Sequence, residues 1–314
     1  LNHNISNAKP PWQERIGHQR DWVWRGWQIR YSYLRAVDRN SDAPPLIFIH
    51  GFGASIEHWR YNLPVLSQNY PVYALDLLGF GGSRKANTNY NVELWVELVR
   101  DFCQTFINTP VILIGNSIGS LVCLTAADNY PDMVKGIVML SLPDVSVRED
   151  ILPRSIRPLV TTLENLVASP FLIKNLLKIL RQPLVIRRWA KIAYENEKAI
   201  DDELVAILSS PAFDRGAEKT LYALSQNIRK TDFSKPVDEM LPRINIPMLL
   251  IWGIKDKMVP PTLAPKFAKL NPLLKSISLE NVGHCPHDEC PDLFNSLLLD
   301  WLSKHQFIRQ DECR

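Results

Sequence analysis

The sequence predicts an α/β fold: a mostly parallel sheet with helices on both faces, interrupted by a helical insertion. Three observations carry that prediction. Short, nearly all-apolar runs recur along the chain, and most end in Gly, His or Asp. Between them lie stretches with apolar residues three and four apart. The rhythm stops after Leu142-Pro143 and resumes at Met248.

Taken in order, the first ten residues end in Pro10-Pro11 and read as a loose arm. Trp22 to Leu34 (WVWRGWQIRYSYL) alternates around Arg25-Gly26, which predicts a β-hairpin. Leu46 to Ile49 is the first buried strand, ended by His50-Gly51. Val72 to Leu75 is the second, ended by Asp76. Val111 to Ile114, ended by Gly115, and Gly136 to Leu140 follow. Val92 to Ile107 has helical spacing. Residues 144 to about 240 contain no convincing strand and read as helices punctuated by Pro153, Pro158, Pro170, Pro183 and Pro211. Met248 to Trp252 and Ser276 to Leu279 complete the sheet, and a helix from Pro291 to Lys304 closes the chain. The organisation is therefore an N-terminal arm (1–20), an α/β core (21–143 and 241–314) and a helical cap or lid (144–240). An insertion after a strand end lies over the edge where α/β sheets carry their sites.

Composition sets the outer bounds. With 314 residues, 46% of them apolar and 22% charged, the chain is an ordinary globular one, neither disordered nor fibrous. Thirty-six Lys and Arg against 33 Asp and Glu leave +3, too balanced for a nucleic-acid binder by bulk electrostatics. No run reaches the ~18 apolar residues of a membrane span. The chain begins at Leu1 rather than Met, as after removal of a targeting segment, and its first twenty residues do not read as a signal peptide. Five cysteines (Cys103, Cys123, Cys285, Cys290, Cys313) are an odd count, and two sit in apolar stretches. They point to reduced thiols and an intracellular or plastid compartment.

The chemistry concentrates at the strand ends. Val111-Ile-Leu-Ile-Gly115-Asn116-Ser117-Ile118-Gly119-Ser120 is a strand running through G-x-S-x-G into a helix, the nucleophile-elbow pattern. So sharp a turn demands small residues at Gly115 and Gly119, lifts the Ser117 hydroxyl clear of the backbone, and aims the Ile118 N–H where an oxyanion would form. The Phe52 N–H, in His50-Gly51-Phe52-Gly53, is the candidate second donor, with His50 bracing that loop. A serine needs a base, and the base needs an orienting acid. His284 follows the last strand and Asp256 the one before, so a parallel sheet brings Ser117, Asp256 and His284 together in that chain order. Asp144 is an alternative acid and His287 an alternative base. Asp76 reads as a tie for the glycine loop at 79–82. His284-Cys285-x-His287-x-x-Cys290 looks like a metal knuckle but lacks a second one, so no metal or organic cofactor is expected.

The segments HGFGAS, DLLGFGGS, GNSIGS, WGIKDKMVPP and GHCPHDECP together resemble the α/β-hydrolases over residues 20 to 305. Within that superfamily, GHCPHDECP and SLPDVSVRED look like the pheophytinase and chlorophyll dephytylase branch of cyanobacteria and plastids. The resemblance implies hydrolysis of the phytyl ester of chlorophyll or pheophytin. Ser117 would be nucleophile, His284 base, Asp256 acid, and Phe52 and Ile118 oxyanion donors. Ser120 stands where many relatives have glycine, a position that bears on helix packing. The implied partner is a hydrophobic pigment ester, in a cyanobacterial cytoplasm, at a thylakoid surface or in a chloroplast. Residues 148–191 carry nine basic and three acidic side chains together with Phe171, Leu172, Ile173, Leu176, Leu177, Ile179 and Leu180. Such a basic, apolar cap suits either a greasy substrate and peripheral membrane contact or simple packing on the core. Other readings are a carbon–carbon hydrolase of ring-fission products, a small-ester esterase, and a ligand receptor on the same fold.

Overall fold

The computed structural model describes residues 11–38, 43–144, 170–228 and 230–305. The arm up to Pro10, residues 145–169 of the expected cap with Arg148, Arg154 and Arg157, and Cys313 lie outside the described residues. The strands are β1 (His18–Trp24), β2 (Trp27–Leu34), β3 (Leu46–Ile49), β4 (Val72–Leu75), β5 (Val111–Asn116), β6 (Val134–Leu140), β7 (Met248–Gly253) and β8 (Leu274–Leu279). They form one sheet in the order β1-β2-β4-β3-β5-β6-β7-β8. The pairs β1/β2 and β2/β4 are antiparallel, and the others are parallel. The hairpin turns at Arg25 and Gly26, whose positive φ angles of 50° and 82° match the right-handed twist of the strands it joins. It begins four residues before Trp22, because His18 to Asp21 pair with β2 while their side chains stay exposed.

Strand periodicity divides the core in two. Ile47, Ile49, Val111 and Leu113 face one apolar cluster, and Leu46, Phe48, Ile112 and Ile114 face the other. Among the described residues the helices of eight or more residues are α1 (Val92–Phe106), α2 (Ile118–Asn129), α3 (Pro170–Leu180), α4 (Pro183–Ala193), α5 (Asp202–Ser209), α6 (Ala217–Asn227) and α7 (Pro291–Lys304). Asn91 caps α1 by accepting the Leu94 N–H at 2.8 Å. Its stripe of Trp95, Val99 and Phe102 joins the first cluster, and Phe294, Leu298 and Trp301 of α7 join the second. Each such side chain contributes roughly 1.5–3 kcal/mol. In α2 ten of twelve residues are buried, as a helix held between the sheet and α1 requires.

Between β6 and β7 the described residues form α3 to α6 and no strand. Ala190, Tyr194, Ile200, Leu204 and Val205 build a small apolar cluster there, and Cys285 from the loop after β8 completes it. Both edges of the sheet are polar. β1 opens with exposed His, Gln, Arg and Asp, and β8 exposes Lys275, Ser276 and Ser278.

Candidate active site

Ser117 sits between β5 and α2 with φ 55° and ψ −118°, a conformation that non-glycine residues rarely adopt. The backbone around it leaves no alternative. A Cβ on Gly115 would lie 2.3 Å from the Gly119 carbonyl carbon, and one on Gly119 2.3 Å from the Ile49 carbonyl oxygen. The Ser117 N–H donates to the Leu140 carbonyl at 2.8 Å. The Ser120 hydroxyl lies 2.8 Å from the carbonyls of Gly115 and Leu140 and accepts the Leu140 N–H at 2.9 Å. Its part in tying the elbow to β6 is not visible in the motif. The backbone N–H groups of Phe52 and Ile118 donate to no acceptor among the described residues.

His284 follows β8, and its Nδ1 lies 2.8 Å from Asp256 Oδ2. The acid that meets His284 is thus Asp256, after β7. Asp256 Oδ1 accepts the N–H groups of Met258 and Val259 at 2.8 and 2.9 Å. Burial works to raise the Asp256 carboxyl, but His284 and the N–H donors outweigh it and hold it below the usual carboxylate range. An ionised Asp256 fixes the proton of His284 on Nδ1 and leaves Nε2 as the basic nitrogen.

The other weighed residues serve the walls. The buried His50 donates from Nδ1 to the Gly51 carbonyl at 2.7 Å and accepts the Leu77 N–H at Nε2. Burial pushes it down to about 4, so it braces the loop as a neutral ring. Asp76 accepts the N–H groups of Ile56 and Gly82 and so ties the glycine loop. His287 is buried against Trp59 and bonds His58 at 3.3 Å. His58 Nε2 lies 2.7 Å from the Tyr194 hydroxyl, which donates to Asp288 Oδ2 at 2.7 Å, and Asp288 Oδ1 accepts from Arg60 at 2.6 Å. His284 and His287 therefore turn to different partners. Among the described residues no group of three or more His, Cys, Asp or Glu could hold a metal. Cys285 is buried, and burial pushes its thiol well above the usual range.

Ser117 and His284 open onto one cavity of about 390 Å³. Phe52, Gly53 and Ala54 form one wall, and Leu180, Ile186, Trp189 and Leu208 another. A second, smaller cavity of about 140 Å³ shares Phe52, Gly53, Ala54 and Leu208 with it and continues between Phe80, Leu177 and Leu224. There the Lys85 ammonium is already bonded to the carbonyls of Gly81 and Ser83 and to Asp214. The apolar residues of α3 thus divide. Leu177 and Leu180 line the cavities, whereas Ile179 and, in α4, Leu184 are 58% and 78% exposed. A separate cleft of about 450 Å³ lies where the chain enters β5 and β6, lined by Arg100, Cys103, Tyr130 and Asp132.

A model of the alpha/beta hydrolase fold family matches residues 44–291, which include every element of this site. The chain belongs to the α/β-hydrolase family. The hydrolase is 25% identical over 321 residues to chloroplastic pheophytinase of Arabidopsis thaliana, covering 88% of this chain and 65% of that one. It is 27% identical over 289 residues to 2-hydroxy-6-oxo-6-(2'-aminophenyl)hexa-2,4-dienoic acid hydrolase of Metapseudomonas resinovorans, covering 89% and 90%. Its fold matches the serine hydrolase CarC of carbazole degradation with a TM-score of 0.74 at 23% identity, over 91% and 99% of the two chains. It matches the epoxide hydrolase CorEH with a TM-score of 0.78 at 18% identity, over 92% and 99%. Among the described residues no helix is long and apolar enough to cross a membrane.

Proposed function

We propose that the hydrolase cleaves a carboxylic ester with a bulky apolar group by a Ser117–His284–Asp256 triad, and that the ester is the phytyl ester of chlorophyll or pheophytin. One observation carries the reading: Ser117 and His284 share a largely apolar cavity with no lysine or arginine among its described lining residues. The likeness to pheophytinase supports the choice of alcohol.

His284 Nε2 takes the Ser117 proton as the hydroxyl oxygen attacks the ester carbonyl. Asp256 steadies the imidazolium. The Phe52 and Ile118 N–H groups take the oxyanion charge, an effect worth ~3–4 kcal/mol per donor in related chemistry. The tetrahedral species collapses, the carbon–oxygen bond to phytol breaks, and His284 gives its proton to the departing alkoxide. Water then attacks the acyl-serine and loses its proton to His284, which returns it to Ser117 Oγ as the acyl carbon–Oγ bond breaks and the acid leaves. The chain-like alcohol runs along the two adjoining cavities lined by residues of α3 to α6, where each buried CH₂ adds ~0.8 kcal/mol. Peripheral contact with a pigment-bearing thylakoid membrane falls to α3 and α4, which expose Lys178, Ile179, Leu184 and Arg188.

The likeness to the Metapseudomonas enzyme favours a second reading, cleavage of a carbon–carbon bond in a dienoate. A carboxylate substrate calls for a cation in the cavity, which the described lining lacks. The deciding experiment incubates the protein with chlorophyll a and pheophytin a in detergent, beside a dienoate and short p-nitrophenyl esters, with Ser117→Ala as control. Serine-dependent chlorophyllide or pheophorbide is expected. Turnover of the dienoate or the short esters without either pigment product overturns the dephytylase reading. Failure of a fluorophosphonate to label Ser117 favours a receptor.

A further inference from the structure

We infer that Glu289 is a positioning residue for His284, and that it works by locking the His284 loop to the inserted helices. The inference rests on the triad reading above. Glu289 is buried, 6% exposed, and both carboxylate oxygens are engaged. Oε2 accepts the N–H of Gly283, the residue before His284, at 2.8 Å. Oε1 accepts the N–H groups of Glu195 and Asn196 at 3.0 and 2.7 Å, just beyond the end of α4. One side chain therefore joins the base's own loop to the helix that contributes Ile186, Trp189 and Ala190 to the cavity.

The surroundings make this joint stiff. The His284 N–H donates to the Ala193 carbonyl at 2.6 Å. A Cβ on Gly283 would lie 2.3 Å from that same carbonyl oxygen, so the two backbones already touch. The neighbouring Asp288 accepts the Tyr194 hydroxyl from the same segment. Toward the core, His284 has its bond to Asp256. The imidazole is thus held between Asp256 and the end of α4, and Glu289 closes the second hold.

Three N–H donors converging on two oxygens need a carboxylate. Glutamine keeps the shape but turns an NH₂ toward an N–H, and one donor loses its acceptor. Glu289→Gln is therefore the test, with Glu289→Asp as the conservative partner. With a soluble p-nitrophenyl ester, Glu289→Gln should lower kcat at least about tenfold and change KM by less than about twofold. A fluorophosphonate should label the same final fraction of Ser117 as in the parent, but more slowly and in step with kcat. Glu289→Asp should recover part of the rate. In a His284→Ala background, adding Glu289→Gln should change the residual rate by less than about twofold, because its effect passes through the base.

An equal loss in both backgrounds, or a loss confined to the labelled fraction, makes Glu289 a folding residue and overturns the inference. So does an unchanged kcat in Glu289→Gln. Full activity in His284→Ala overturns the triad reading itself and this inference with it, so the two failures are told apart.

Discussion

The turn that carries Ser117 is fixed by backbone collisions at Gly115 and Gly119, whereas the loop that carries His284 is fixed by hydrogen bonds to Asp256, Ala193 and Glu289. The first hold is local: its contacts come from β3, β5, β6 and α2, all in the sheet core. The second reaches into the inserted segment, which also walls the cavity. Ser117 is seated by steric contacts within the sheet core, while His284 is seated by polar contacts that reach the inserted helices. The same site thus combines a rigid half within the core and a polar half held across to the inserted segment.

The largest expected effect removes what the rigid half presents. Ser117→Ala should lower turnover at least ~10³-fold while pigment affinity, measured by equilibrium binding, stays near that of the parent. Near-full turnover would mean that the strained turn serves no reaction. Next comes the hold itself. Gly119→Ala forces a Cβ against the Ile49 carbonyl and should cost ~1–3 kcal/mol or more, read as a lower urea midpoint with loss of activity. An unchanged midpoint would show that the turn relaxes and would erase the contrast.

The polar half should be sensitive to acid. Burial pushes His58, beside Tyr194, from 6.5 down to about 3. Between those values the unfolded chain binds a proton that the folded one refuses, so stability falls as pH drops below 6.5 and levels off near 3. The contribution of His58 is on the order of several kcal/mol. Urea midpoints from pH 7 to pH 4 should fall, and less steeply in His58→Gln; parallel slopes in the two proteins would count against it. The smallest effect sharpens the rigid half. Ser120→Ala leaves the Leu140 N–H without its hydroxyl acceptor and should cost about 1–2 kcal/mol with little change in KM. A change confined to KM would instead assign Ser120 to substrate contact.

How much of this was legible in the sequence follows the same division. The elbow could be read because its glycines sit two residues either side of Ser117; the Gly115 collision is with chain neighbours, and only the fold reveals that Gly119 meets Ile49 of β3. The apolar strands could be read because both faces of each are covered. The start of the hairpin at His18 could not, since an exposed edge strand needs no apolar residues. Of the holds on His284, Asp256 could be read from its place after a strand, whereas those from Ala193 and Glu289 were hidden. Glu289 bonds residues 93 and 94 positions away, and Arg60 meets Asp288 across 228. No local spacing encodes such partners. The run His287-Asp288-Glu289 was visible beside His284, but only the fold reveals that all three turn inward to other elements.

The polar edges of the sheet have a colloidal consequence. A terminal strand offers its unpaired N–H and C=O groups to any second chain that can lie alongside. At one end the would-be partner meets His18, Gln19, Arg20 and Asp21, and at the other Lys275 between serine and leucine neighbours. Adding a further strand would crowd a neighbour against these charged and polar side chains, of which Asp21 already has its counter-ion in Arg30, so extending either edge costs desolvation. Chains crowded together therefore find no flat apolar ribbon to extend.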